Sequence, residues 1–386
     1  SVIVGAAEKN RSTGAAYVFV RDNTGNWSEA RKLLASDFST GDAFGNSVSI
    51  SGRYTLIGAY RKSDSGTLGN GAAYFFENED KGWIMPAVLD QHCGSNNLTL
   101  TAPTATDNCA GSITATTADP TSFTIPGRYG VNWTYDDGNG NSTKQYQKVI
   151  FAADKTAPIP NAGSPLPLDF NEVKKALASD KTSGDRFGWS TAISDDYAIV
   201  GAPFESDGQT YNNGAAYIFE RDASGNWTEV QKLLASDKAR NDYFGYSVSI
   251  SDDYAIVGAS REDDGSTTDN GAAYIFERDA SGNWTEQQKL LASDKNWNDY
   301  FGHSVSISGD YVIVGAYRHT GGGTAYIFER DASGSWTEQQ KLLASDRNYS
   351  DNFGTSVSIS GSYLIVAASN KSETGLRQNG AAYIFE

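Results

Sequence analysis

The sequence contains few of the residues that usually build catalytic or metal centres. Its 386 residues include two cysteines, one methionine and three histidines. No histidine has a second ligand at metal-binding spacing, and there is neither a Gly-x-Ser-x-Gly elbow nor a phosphate-binding P-loop. Carboxylates are abundant, but no unique acid stands in an otherwise apolar strand. We therefore expect a protein that is not an enzyme.

Positive charge and long apolar runs are also scarce. The chain has 31 Lys and Arg against 47 Asp and Glu, a net charge of −16. Such a chain repels nucleic acid and anionic membrane surfaces. No run approaches the 20 or so apolar residues that a membrane-spanning helix needs. These absences exclude nucleic acid as a partner and exclude direct insertion into a membrane.

The chain does contain an internal sequence repeat. A Gly-x-Ala-Tyr segment and a Phe-Gly pair recur, and the last four copies of the tyrosine lie 52 to 57 residues apart. A fixed period of this size indicates a repeat architecture. The Phe-Gly pairs begin at Phe44, Phe187, Phe244, Phe301 and Phe353.

Each repeat holds four short apolar runs with β-rich composition and no helical spacing. In one copy they are residues 247–251, 254–259, 272–277 and 284–291. This predicts an all-β fold, a β-propeller of four-stranded antiparallel blades. Six repeats are visible. The first begins inside its second strand and the last stops after its third, so either six blades close with that piece missing or a seventh blade is absent.

The turn between the third and fourth runs repeats an Asp, a Gly and a Trp, as in Asp279, Gly282 and Trp284. The carboxylate can cap turn amides, glycine tolerates positive φ, and the Trp can lie over the hairpin. We interpret this turn as structural.

One repeat is interrupted by an insert. Tyr74 and Tyr217 are 143 residues apart, and the added segment, residues 84–168, falls between the third and fourth strands of a blade. Its composition shifts to Thr, Ala, Asn and Pro with short alternating runs, which predicts a small β-sandwich. The expected domains are the propeller, residues 1–83 with 169–386, and the insert, residues 84–168.

The phrases FGxSVSIS, YxIVGA, GAAYIFER and WTExQKLLASD resemble the bacterial FG-GAP repeat, the blade of the integrin α-subunit propeller. The resemblance covers about 300 of the 386 residues. It implies a propeller, and the seven blades of integrin-like propellers favour a seventh blade here by analogy.

The insert resembles the HYR family of immunoglobulin-like modules in its phrases APTATDNCAGSITATTADP, VNWTYDDGNGNST and VIFAADKTAPIP. Such modules are common in large secreted proteins, and the sequence of the insert is similar to copies in Bacteroidetes surface proteins. The resemblance implies an extracellular bacterial protein, in which a disulfide between Cys93 and Cys109 is expected. The alternative is two reduced, buried thiols.

The most distinctive constellation is a pair of Asp residues, five positions apart, just before each Phe-Gly. Two interpretations are open: the carboxylates cap tight turns, or some pairs hold Ca²⁺ with backbone carbonyls. The DxDxDG calcium loop of integrins is absent, which weakens the calcium implied by the resemblance. The pairs are Asp37 and Asp42, Asp180 and Asp185, Asp237 and Asp242, Asp294 and Asp299, and Asp346 and Asp351.

The loops between second and third strands should share a face with these pairs, and they too are acidic. They supply the candidate ligand-binding residues Asp207, Asp263 and Asp264, to which we add Trp297 and Tyr300 from the loops that precede Phe-Gly.

Together these features predict a non-enzymatic extracellular binding or adhesion module of a larger polypeptide, with a protein or glycan ligand on a surface. A lectin propeller is one alternative. Its candidate aromatics vary between repeats, which argues against a repeated sugar pocket; they are Tyr211, Tyr243, Trp297, Tyr300 and Tyr349. A structural segment of a giant repeat protein is the other alternative.

Overall fold

The computed structural model describes most of the chain, in ten segments. They are residues 1–22, 25–64, 66–78, 98–107, 111–123, 127–139, 142–151, 170–265, 267–372 and 378–386. The chain divides into two compact units, Ser1–Asp80 with Pro167–Glu386, and Lys81–Leu166. Among the described segments the helical content is one turn, Lys9–Ser12, and no helix there has the length and apolar character needed to cross a membrane.

The first unit is a six-bladed β-propeller, so the predicted all-β propeller of antiparallel blades is confirmed. Blade one contains Val2–Gly5, Ala16–Arg21 and Trp27–Leu33. Blade two contains Val48–Ser51, Tyr54–Ala59, Ala72–Asn78 and Phe170–Ala176. Blade three contains Ser190–Ser194, Tyr197–Ala202, Ala215–Arg221 and Trp227–Leu233. Blade four contains Phe244–Ser251, Tyr254–Ala259, Ala272–Arg278 and Trp284–Leu290. Blade five contains Phe301–Ser308, Tyr311–Ala316, Thr324–Arg330 and Trp336–Leu342. Blade six contains Phe353–Ser360, Tyr363–Ala368 and Ala381–Phe385.

In the complete blades the strands pair in chain order, and we number them one to four from the start of the repeat. Blade one consists of strands two to four and blade six of strands one to three, as the sequence indicates. In blades four to six strand one begins at the Phe-Gly pair with a bulge, which lies between Phe244 and Ser247 in blade four. Phe244 also bridges Gly214 of blade three, so the Phe-Gly pair joins neighbouring blades.

The apolar core lies between blades. Strand two is covered on both faces: Val200 packs toward blade two while Ile199 packs toward blade four, and both are fully buried. Between blades three and four the buried cluster includes Phe244, Tyr274 and Trp284. A continuous β-rich run in strand two follows from this two-sided burial.

Two glycines of the repeat set the closeness of neighbouring blades. Gly245, in the Phe-Gly pair, has φ 87°, and a Cβ there would lie 2.2 Å from the carbonyl oxygen of Ala215 in blade three. Gly258, at the end of strand two, would place a Cβ 2.0 Å from the carbonyl oxygen of Gly302 in blade five. Glycine at both positions therefore allows one backbone to touch the next.

The outer faces of the first and last blades remain partly exposed. Val4 of blade one is 49% exposed, and Ile384 of blade six is 74% exposed. Ile275, which matches Ile384 in blade four, is fully buried against blade five. The total number of blades in the full protein stays a prediction.

The second unit is the insert, whose described part is also β structure. Its strands are Leu98–Thr99, Thr104–Asp107, Gly111–Thr114, Ser122–Phe123, Gly127–Asp136 and Ser142–Phe151. They form three two-stranded ladders, and Val131, Trp133 and Phe123 share a buried cluster.

The insert interrupts blade two at the predicted turn, because Asn78 of strand three pairs with Phe170 of strand four. Cys93 and Cys109 lie outside the described residues, so their disulfide stays a prediction.

Candidate functional site

The paired Asp residues lie where strand four of one blade leads to strand one of the next. In blade four, Tyr274 Oη donates to Asp237 Oδ1 at 2.8 Å, and Lys289 Nζ donates to Asp237 Oδ2 at 2.6 Å. The first Asp of each pair therefore ties the loop to strands three and four of the following blade. The same arrangement joins Asp37, Tyr74 and Lys175; Asp180, Tyr217 and Lys232; and Asp294, Tyr326 and Lys341. Asp346 bonds Tyr383 and Lys371.

The second Asp of each pair is buried and caps its own loop. Asp242 accepts the backbone N–H of Ala239 at 2.5 Å, and Asp299 accepts that of Asn296 at 2.6 Å. Asp42, Asp185 and Asp351 make the same bond three residues back. These are the hydrogen bonds that the turn-capping interpretation requires.

One buried position facing the second Asp differs between blades. It holds lysine in blades two and six, where Lys62 lies 3.0 Å from Asp42 and Lys371 lies 3.1 Å from Asp351. In blade five it holds His319, whose Nδ1 lies 2.8 Å from Asp299. In blades three and four the residues are Glu205 and Glu262, both buried.

In blades three and four the second Asp therefore has an acid at this position, and that acid is paired with the lysine of strand four: Glu205 with Lys232 at 2.8 Å and Glu262 with Lys289 at 2.5 Å. Burial raises the pKa of Asp242 to about 6, with Asp237 and Asp263 adding to the rise. Burial also raises the pKa of Glu262, and Lys289 opposes that rise from 2.5 Å. Oε2 of Glu262 is buried without a hydrogen-bond partner among the described residues.

We expect Glu262→Lys to raise the free energy of unfolding at pH 7.5, because it supplies the ammonium that Lys62 provides in blade two. The raised pKa means that folded protein holds a proton which unfolded protein releases between about pH 4 and 6. Wild-type stability should therefore rise as the pH falls through 6, and the variant should gain less. Melting curves at pH 5 and 7.5 measure both effects.

Glu262→Gln is the matched control for this experiment. It removes one carboxylate without adding an ammonium, so Asp242 should retain much of its raised pKa and the variant should keep part of the acid gain. An equal acid gain in wild type and Glu262→Lys would show that this buried pair does not govern the pH dependence.

Calcium at the Asp pairs stays a prediction. Within the described segments, no group of three or more His, Cys, Asp or Glu side chains is arranged to hold a metal ion. Each first Asp already has a lysine ammonium against it, as in the pair Lys232 and Asp180 at 2.5 Å. A calcium ion would have to replace a lysine there.

The predicted acidic ligand residues serve their own loops. Asp207 caps Gln209 and Thr210 and lies 2.6 Å from Lys238, and the bond to Lys238 lowers the pKa of Asp207 to about 2. Asp264 accepts the N–H of Thr267 and pairs with Lys295. Asp263 accepts the N–H of Asp269 at 2.6 Å, and Trp297 is 68% exposed.

Tyr300 belongs to a different surface, which sequence reasoning largely missed. Aromatic rings from blades two to five form a network in which contacting rings have centroids 4.3 to 5.7 Å apart. The network branches at Trp189, which follows Tyr60: one branch is Phe204 and Tyr243, and the other is Tyr246, His303, Tyr317 and Tyr300. These rings flank Phe-Gly pairs or follow strand two, so they lie at one end of the blades. With the four arginines described next, we call them the aromatic–arginine band.

The arginines lie over these rings. The guanidinium carbon of Arg186 is 4.0 Å from the ring centroid of Phe204, and that of Arg318 is 5.2 Å from that of Tyr300. The guanidinium carbon of Arg261 is 5.1 Å from the ring centroid of Tyr243, and that of Arg61 is 5.0 Å from the ring centroid of Tyr60. Such stacking is a favourable cation–π arrangement.

The four band arginines make no ion pair or side-chain hydrogen bond with the described residues, whereas the arginines that end strand three in blades three to five are each paired with an aspartate. Arg53 pairs with Glu77 at 2.5 Å, and Arg278 pairs with Asp253. In a protein of net charge −16, unpaired guanidinium groups on an aromatic surface are available to an anion.

The band is also where the repeats differ from one another. The residue after Phe-Gly is Trp189, Tyr246 and His303 in blades three to five, but Asn46 in blade two and Thr355 in blade six. Burial, with Arg318 nearby, lowers the pKa of His303 to about 4, so this ring is neutral at neutral pH. An aromatic residue in place of a polar one at this position is the sequence signal that could have located the band.

The fold and this surface define a β-propeller whose central blades depart from the repeat at one end. The chain belongs to the FG-GAP repeat family: the family matches residues 27–76, 170–219, 227–276, 284–328 and 336–385, which is more than half of the chain. No curated protein matches the sequence.

Two solved structures resemble the chain distantly. One is a putative 6-phosphogluconolactonase from Bacteroides fragilis, 14% identical, with a TM-score of 0.36; the match covers 86% of this chain and 79% of that one. Another is Sqt1 from Chaetomium thermophilum, 10% identical, with a TM-score of 0.41, covering 95% of this chain and 63% of that one.

Proposed function

We propose that this protein is a non-enzymatic binding module that holds its ligand on the aromatic–arginine band. The observation that carries the proposal is the coincidence of three properties on one surface: stacked rings, unpaired arginines, and departure from the repeat. Partly exposed aromatic and arginine side chains are the residues most enriched at binding hot spots. A purely structural propeller has no need for the central blades alone to carry them.

In this proposal the acidic loops do not form the ligand site. Their carboxylates are occupied by backbone N–H groups and by lysines, as in Asp207 with Lys238. We retain from the family resemblance the proposals that the protein is secreted or at a bacterial cell surface and acts in adhesion as part of a larger polypeptide.

The proposal is tested with two sets of variants on the whole chain. Trp189→Ala with Tyr246→Ala removes the middle of the band, while Asp263→Asn with Trp297→Ala alters the acidic loops. Both are screened with wild type against a glycan array and a panel of extracellular matrix proteins. We expect the ligands retained by wild type to be lost by the band variant and kept by the loop variant.

Two outcomes would overturn the proposal. One is retention of the same ligands by the band variant, provided that its melting temperature shows that it is folded. The other is the absence of any ligand for wild type, which would favour the structural-scaffold alternative.

A further inference from the structure

We infer that the ligand of the aromatic–arginine band is an acidic polysaccharide, a chain of pyranose rings that carry carboxylates. The inference rests on the proposed function and adds the chemical class of the ligand. It depends on the arrangement of rings and guanidinium groups along the band.

The rings suit the faces of sugars. Neighbouring centroids lie 4.8 Å apart for Tyr60 and Trp189, 5.4 Å for Trp189 and Tyr246, and 5.0 Å for Tyr246 and His303. Their exposure is intermediate for all but Tyr60, which is 7% exposed. The C–H face of a pyranose packs on such rings while its hydroxyl groups remain in water. A row that crosses four blades fits several consecutive sugars.

The guanidinium groups suit carboxylates. Arg186 lies within 6 Å of the centroids of Tyr60, Trp189 and Phe204, and Arg261 and Arg318 both lie within 6 Å of that of Tyr300. Stacking on a ring holds the guanidinium plane and leaves the N–H edge free for a bidentate bond to a carboxylate. The arginines thus place positive charge beside the rings in both branches of the band, where the carboxylates of a uronate chain can reach it.

An acidic peptide fits the band less well. A peptide laid across it would bring a main-chain N–H group at every residue, and each of these groups needs an acceptor. The arginines offer donors only, so the acceptors are limited to tyrosine hydroxyl groups and to the carboxylate of Asp269, which already accepts from Tyr300. Burying those N–H groups without partners would oppose binding. A polysaccharide has no such groups, because its hydroxyl groups can remain solvated.

The test is a titration of the whole chain with polygalacturonate, fully methyl-esterified polygalacturonate and poly-glutamate at 50 mM and 300 mM salt. We expect polygalacturonate to bind at least about 10-fold more tightly than its ester, since charge-assisted hydrogen bonds are lost in the ester. Poly-glutamate should bind more weakly than polygalacturonate at both salt concentrations. Higher salt should weaken the binding of the acidic polymer.

Variants locate the contact. The triple variant Arg186→Gln, Arg261→Gln and Arg318→Gln should lose at least about 10-fold in affinity for polygalacturonate. Arg278→Gln, which removes an arginine already paired with Asp253, is the matched control and should bind as wild type does.

Two results would overturn the inference. Equal binding of polygalacturonate and its methyl ester would show that the protein does not recognise the carboxylates. Equal binding of poly-glutamate and polygalacturonate would show that the protein recognises negative charge and not the sugar. If no acidic polysaccharide binds while a matrix protein binds through the band, this inference fails and the proposed function stands.

Discussion

Gly258→Ala should lower the free energy of unfolding by about 3 kcal/mol, because it forces two blades apart. The new Cβ would lie 2.0 Å from the carbonyl oxygen of Gly302 and 2.4 Å from Oγ of Ser247. The first of these is backbone of the next blade and cannot rotate away. Urea unfolding of the wild type and the variant measures the loss.

The matched control is Gly282→Ala in the turn of the same blade. Gly282 has φ 88°, and nothing lies within 4 Å of its added Cβ. Its cost should be about 1 kcal/mol, from the left-handed backbone alone. Equal losses in the two variants would mean that contact between blades does not determine glycine at position 258. In blade six the equivalent residue is Ala367, so glycine is not required there by the strand itself.

Trp284→Ala should cost about 3–5 kcal/mol, the largest effect that we expect from a single side chain. Trp284 is 2% exposed, and its ring packs edge-on against that of Tyr197 in blade three, with the two ring centroids 5.9 Å apart. Its backbone N–H donates to the side-chain oxygen of Gln231 at 2.8 Å. Truncation would therefore open a cavity between two blades.

Blade one provides the control for this prediction. Trp27 stands at the same place in the repeat but is 51% exposed, so Trp27→Ala should cost less than about 1 kcal/mol. The two variants remove the same side-chain atoms from equivalent turns of two blades. If they destabilise the protein equally, the tryptophan acts through its own hairpin and not through packing between blades.

Much of the architecture was predictable because the same strand and turn motifs occur in every repeat. Phe-Gly, the strand runs and the Asp-Gly-Trp turn recur, so each blade checks the interpretation of the others. The structure adds the physical reasons: Gly245 and Gly258 let backbones touch, and Trp284 fills the space between blades.

The site was harder to predict, for two reasons. The first Asp of most pairs is bound by a lysine of strand four, such as Lys289. A lysine in a strand gives no sequence signal that it pairs with a particular aspartate. The band joins residues from Tyr60 to Tyr317 that become neighbours only when four blades are assembled. Tyr243 and Tyr300 were candidates, but their variation between repeats argued against a repeated pocket. That variation instead marks one continuous surface.

The fluorescence of Trp189 reports whether the aromatic–arginine band holds the ligand. Polygalacturonate is added to wild type and to Trp189→Phe, and the tryptophan emission is recorded. We predict a change in wild type that is absent from the variant, although the variant still binds because phenylalanine keeps the stack. A change of equal size in Trp189→Phe would show that the ligand binds elsewhere on the protein.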